Sequence, residues 1–122
     1  MKKTGPLRKN YEFMRVYKRG KYFVGKFITL YVFPNRASTN RLGITASKKV
    51  GKSVRRNRVR RLIKENYRLY EDFVKEGFDL VFVARDNENL PDFSDIKKEM
   101  KYLLKKLNVF SQEKWDCSKE FL

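Results

Sequence analysis

The sequence predicts an α+β sandwich, a sheet packed against helices, in a single domain. Three observations predict it. Three stretches, Phe27–Phe33, Arg41–Ser47 and Asp79–Arg85, have strand length and composition; a long segment from Ser53 repeats its apolar residues with helical period; and a further helical pattern closes the chain. The 122 residues, 41% hydrophobic and 15% aromatic, are enough to bury a real core. One domain over residues 1–122 is expected, ordered from about 7 to 110, with a flexible tail over 111–122.

In order along the chain, Asn10 can cap a short helix that carries Phe13, Val16 and Tyr17 on one side and stops at Gly20. The strands Phe27–Phe33 and Arg41–Ser47 flank a polar, proline-containing stretch, Pro34–Asn40, which predicts an antiparallel hairpin with a long loop. Leu42, Ile44 and Ala46 face the core. Gly43, Thr45 and Ser47 take the other face, and their small side chains leave it open to a ligand or a neighbouring element. From Ser53 a helix runs to about Val74, with Val59, Leu62, Ile63, Tyr70 and Phe73 on one stripe and Asn57, Arg61, Lys64 and Arg68 opposite. Gly77 ends that segment, Asp79–Arg85 is a buried strand, and Asn87–Asn89 makes a turn before Pro91. The last helix begins near Asp92 or Ser94 and buries Phe93, Ile96, Met100, Leu103, Leu104, Leu107 and Phe110; beyond Val109 the pattern fades. Strand, helix and strand from Arg41 to Arg85 form a β-α-β unit with parallel strands, right-handed by the general rule.

The charge is zoned. Between Phe13 and Lys64 there is no aspartate or glutamate but sixteen lysines and arginines, as many as the net charge of +16 on the whole chain. Residues 1–64 carry about +19 and residues 65–122 about −3, a separation that makes one surface attractive to a polyanion. The density peaks at Lys48, Lys49, Lys52, Arg55, Arg56, Arg58, Arg60 and Arg61. This cluster sits where a helix begins, although the positive end of the helix dipole favours acids there by ~0.3–1 kcal/mol each. A phosphate reverses the sign of that conflict, because free N–H groups, dipole and arginine forks all converge on it. Nucleic acid is therefore the expected partner.

Other chemistry is scarce. The chain has no histidine, and one cysteine, Cys117, permits neither an intrachain disulfide nor a zinc set. The longest apolar run is far shorter than a membrane span and no signal peptide follows Met1, so a cytoplasmic protein without membrane contact is expected. Gly51-Lys52-Ser53 between strand and helix, with Asp86 after the next strand, imitates part of a phosphate-binding loop. Ala46, however, stands where that loop needs its first glycine. Tyr11, Phe13, Tyr17, Tyr22, Phe23, Phe27, Tyr31 and Phe33 are interleaved with basic residues; some belong to the core, and those on an open sheet face can stack on unpaired bases.

The segment Arg41-Leu42-Gly43-Ile44-Thr45-Ala46-Ser47-Lys48-Lys49-Val50-Gly51, followed by Arg56-Asn57-Arg58-Val59-Arg60-Arg61-Leu62-Ile63-Lys64-Glu65, strongly resembles the bacterial ribonuclease P protein subunit, and Arg56-Asn57-Arg58 matches that family's RNR motif. Leu7–Asn10 with Glu12-Phe13 and Val16–Gly20 resembles its N-terminal helix, and Phe78–Arg85 its last strand; the resemblance covers about residues 7–110. It implies an α-β-β-β-α-β-α domain with a left-handed β-α-β crossover, similar to a ribosomal protein domain, which overrides the right-handed default. It also implies a protein cofactor of an RNA enzyme that, with Mg²⁺ and no organic cofactor, cleaves the 5′ leader from precursor tRNA. In that reading Arg55, Arg56, Asn57, Arg58, Arg60, Arg61, Lys64 and Arg68 contact the catalytic RNA. Phe13, Tyr17, Tyr31, Ser47, Lys48 and Lys49 line a cleft for the leader, and no protein side chain is catalytic. The alternative is a generic ribosome- or RNA-associated basic protein with the same fold.

Overall fold

Alternation along three central strands decides where each helix packs. The computed structural model describes residues 3–120. In β3 (Ile28–Pro34), β4 (Asn40–Ala46) and β5 (Phe78–Ala84), residues such as Leu30, Leu42 and Phe82 point to one face. There they meet Val59, Ile63 and Tyr67 of α2 (Ser53–Tyr70) and Ile96, Met100 and Leu104 of α3 (Phe93–Lys106), forming the main core. The opposite face receives only the short helix α1 (Asn10–Arg19), whose Phe13, Val16 and Tyr17 pack with Leu7, Tyr31, Phe33, Val81 and Val83. A helix of ten residues cannot cover a five-stranded sheet, so part of this second face stays accessible.

The strand order is β1-β4-β5-β3-β2, with β1 (Thr4–Pro6) and β2 (Lys21–Val24) at the edges. As expected, β4 and β5 are parallel neighbours across the α2 crossover, with Leu42 beside Leu80 and Ala46 beside Ala84. The expected hairpin of β3 with β4 does not form. β5 lies between them, antiparallel to β3 over all seven residues. The physical reason is burial: β5 is apolar on both faces and belongs at the centre, and the 34–40 segment is long enough to pass over it.

Several element ends differ from the sequence reading. Lys9, not Asn10, is the N-cap of α1, and the Glu12 carboxylate accepts the N–H groups of Lys9 (2.9 Å) and Arg8 (3.2 Å). α2 stops at Tyr70, and a 3₁₀ turn, Glu71–Phe73, replaces its expected last turn. Asp92 caps α3 reciprocally with Asp95, as a start near Asp92 requires. Phe93 is not part of the buried stripe but 38% exposed, while Phe110 is buried outside the helix, bridged to Val74. Most of the expected tail is a helix, α4 (Gln112–Glu120), anchored by the Trp115 ring 5.0 Å from Phe73 and 5.7 Å from Phe110. One aromatic without periodic companions leaves no pattern to read, and its partners are distant in sequence. Residues 121 and 122 of that tail lie outside the described residues, as do residues 1 and 2.

Candidate nucleic-acid interface

The accessible face is organised in rows that strand register dictates. One row runs Tyr22, Tyr31, Val81, Gly43 across β2, β3, β5 and β4; the next runs Val24, Thr29, Val83, Thr45. Gly43 is what lets α1 approach. A Cβ at that position would stand 2.3 Å from Cε1 and 2.7 Å from Cζ of Phe13, so the ring occupies the space a side chain would fill. The small residue foreseen on this face thus serves a neighbouring element, and the cleft opens beside it. Tyr17 meets Tyr31 edge-on at 5.0 Å and lies 6.5 Å from Phe13. Phe13, Tyr17 and Tyr31 therefore come together as expected, each half-buried: they pack α1 and still present ring surface. Ser47, Lys48 and Lys49 are exposed where β4 passes into a 3₁₀ turn, Lys48–Val50, at the end of the same face.

An ion cluster fixes α1 over this face. Asp79, fully buried, accepts from Arg41 Nε (2.9 Å) and Nη2 (2.8 Å) and from Asn35 Nδ2 (3.0 Å), with Arg15 Nη2 3.7 Å away. Arg41 also pairs with Glu12 through Nη1, so one guanidinium links strand β4, strand β5 and the start of α1. The N–H groups of Lys9 and then Arg8 hold the Glu12 carboxyl below the usual glutamate range, and Arg41 adds to the effect. The carboxylate bond from Asp79 raises the Arg41 guanidinium in turn. Glu12 is the single acid among the first 64 residues. Its engagement at the helix start ties the one acid of the basic half into the fold, which sequence alone did not reveal.

On the opposite side of the sheet, α2 turns Asn57, Arg58, Arg61, Lys64 and Arg68 outward, all exposed. Among the described residues none of these four cations pairs with an acid. The other three arginines of the segment are partly engaged within the protein. Arg60 reaches the carbonyl of Ala46 and the Asn57 amide oxygen, both at 3.4 Å, and Arg56 reaches Ser53 Oγ at 3.2 Å. Arg55 departs furthest from the expected role. Its Nη2 donates to the carbonyls of Asn87 (2.5 Å) and Glu88 (3.2 Å), bracing the β5–α3 connection, and its aliphatic stem lies over Gly51. A Cβ on Gly51 would stand 2.6 Å from Arg55 Cδ, and the backbone there has φ 136°. This also disposes of the phosphate-loop imitation. The space above Gly51 is filled by Arg55, and Ala46 is a buried strand end paired with Ala84 where the loop would need a glycine.

The arrangement presents cations and aromatic rings, groups that meet phosphates and bases. Among the described residues no group of three or more acids, histidines or cysteines is placed to hold a metal ion. The order implied by the resemblance includes a strand between α1 and β3, but reading the residues did not place it or Tyr22 on it; the signal was the run Lys21-Tyr22-Phe23-Val24 between Gly20 and Gly25.

The Ribonuclease P family model matches residues 1–108. Over 110 residues the chain is 51% identical to the ribonuclease P protein component of Clostridium botulinum strain Loch Maree, covering 89% of this chain and 99% of that protein. The corresponding protein of Clostridium perfringens strain SM101 is 49% identical over 115 residues, covering 88% and 92%. Among solved structures, the Staphylococcus aureus RNase P protein superposes with a TM-score of 0.78 at 30% identity, over 86% of this chain and 96% of that one. The Thermotoga maritima RNase P protein gives 0.73 at 29% identity, over 83% and 96%. With the family match running through both surfaces and the fold shared, this chain belongs to the ribonuclease P protein family.

Proposed function

We propose that this chain is the protein subunit of ribonuclease P, the endoribonuclease that matures the 5′ end of tRNA, and that it binds two RNAs on two surfaces. The observation that carries the reading is their separation. An exposed arginine and lysine face on α2 and an aromatic cleft under α1 lie on opposite sides of one sheet. The α2 face, Arg56, Asn57, Arg58, Arg60, Arg61, Lys64 and Arg68, suits the phosphates of the structured catalytic RNA. Arg55 contributes by holding the helix start. Phe13, Tyr17, Tyr31, Ser47, Lys48 and Lys49 suit a single strand, because rings stack on unpaired bases and the flanking cations meet its phosphates. The strand is the 5′ leader of precursor tRNA. Mg²⁺ acts with the catalytic RNA, and the protein lowers the concentration needed by adding fixed positive charge at the RNA interface. The site of action is the cytoplasm, and no helix among the described residues is long and apolar enough to cross a membrane.

The test is reconstitution with a ribonuclease P RNA at low Mg²⁺. Cleavage should rise on adding the protein, and more for substrates with a leader of several nucleotides. A generic RNA-associated protein would leave cleavage unchanged, and that result would overturn the proposal. Arg58→Ala should weaken affinity for the RNA subunit and reduce the salt slope by ~0.7–0.9, while Phe13→Ala acts mainly on the leader.

A further inference from the structure

We propose that Tyr22, on the edge strand β2, is a further base-stacking position that extends the leader cleft past Tyr31; the inference rests on the leader reading of that cleft. Tyr22 pairs directly with Tyr31 in the β2–β3 register, and their rings stack at 5.2 Å with planes 29° apart. Tyr31 is closed on its other side by the Tyr17 edge. The row of rings therefore grows in one direction only, outward over β2. No strand follows β2, and Tyr22 is 58% exposed. The open face of its ring thus continues a stack already two rings deep.

The position also fits a path. Ser47 and Lys48 sit at the end of β4, and Tyr22 lies three strands across and four residues back along the strand direction, a distance of about 19 Å. A strand entering by Ser47 and Lys48 passes Val83 and Thr29, meets Tyr31, and leaves over Tyr22. Val24, two residues on and 48% exposed, widens the apolar border on the same side. A cross-strand tyrosine pair also steadies a hairpin. That role alone does not require a planar ring left open at the sheet edge, and it predicts no dependence on leader length.

The experiment uses the reconstituted holoenzyme and precursor tRNAs with leaders shortened one nucleotide at a time, some carrying 2-aminopurine at successive leader positions. Tyr22→Leu should weaken binding by about fivefold or more once the leader is long enough to reach β2, and not below that length. Tyr22→Phe should behave as wild type. One distal 2-aminopurine should be quenched by wild type and Tyr22→Phe but not by Tyr22→Leu, with melting curves verifying that all three are folded. If wild-type affinity rises with leader length and Tyr22→Leu follows the same curve, the Tyr22 assignment fails alone. If wild-type affinity ignores leader length, the cleft reading fails with it. Equal losses at every length would mean a structural role. A Tyr22→Leu effect on sedimentation would mean that the edge pairs with a second copy, and either result overturns the proposal.

Discussion

Adding one methyl group at Gly43 should disable the proposed leader cleft while sparing the α2 face. The new Cβ of Gly43→Ala would lie 2.3 Å from Phe13 Cε1, so the ring must retreat by about 1 Å to reach the 3.4 Å at which ordinary contact begins. It cannot retreat freely. Val16 on the next turn is fully buried, and the Glu12–Arg41–Asp79 cluster ties the start of α1 to β4 and β5. Overpacking of this kind costs ~1–3 kcal/mol, which urea melts resolve. A double-mutant cycle isolates the contact. Phe13→Ala removes the obstructing ring, so Gly43→Ala should become nearly neutral in that background, giving a coupling of ~1–3 kcal/mol. In binding assays Gly43→Ala should lower affinity for leader-bearing precursor tRNA and leave affinity for the catalytic RNA within twofold. Additive stability effects would refute the contact, and equal losses of both RNA affinities would refute the separation of the two surfaces.

The ion cluster gives two further predictions. Asp79→Ala leaves Arg41 with Glu12 alone; because Arg41 is 30% exposed, the loss should be about 2–3 kcal/mol, below the ~3–5 of a fully buried pair, and denaturant melts will measure it. No destabilisation would mean that the cluster does not anchor α1. The Glu12 carboxyl is lowered in the folded protein, so the folded state binds fewer protons than the unfolded chain just below pH 4.5. Its stabilisation is therefore complete above about pH 4.5 and drains as pH falls through the lowered value. Wild type and Glu12→Gln should differ near neutral pH and converge in acid, and parallel pH profiles would contradict this. Trp115→Ala should detach α4 at ~1–3 kcal/mol, less than a fully buried tryptophan, with faster amide exchange over residues 112–118. Unchanged exchange would mean that α4 does not depend on the ring.

The charge zoning and the strand and helix stripes were legible in the sequence, because each rests on spacing along the chain, whereas the two groups of proposed site residues came from the family resemblance. Val59, Leu62, Ile63 and Tyr70 announce the buried side of α2, and that assigns Arg58, Arg61 and Lys64 to solvent without any tertiary information. The resemblance around Arg56-Asn57-Arg58 then named the family. Strand pairing was not legible. Alternation along Phe27–Phe33 and Arg41–Ser47 states which face each side chain takes, but not that β5, which begins only at Phe78, separates them. The same limit hid the inward turn of Arg55 toward Asn87, the docking of Trp115 and the engagement of Glu12 and Asp79 by one arginine.

By itself the sequence determined the kind of partner, since a chain with sixteen excess positive charges gathered in one half attracts a polyanion however it folds. Only the tertiary structure put α1 and α2 on opposite faces of one sheet. Gly43 admits Phe13 to the sheet, β5 divides the strands, and α1 and α2 are driven to opposite faces because each must bury its own apolar stripe.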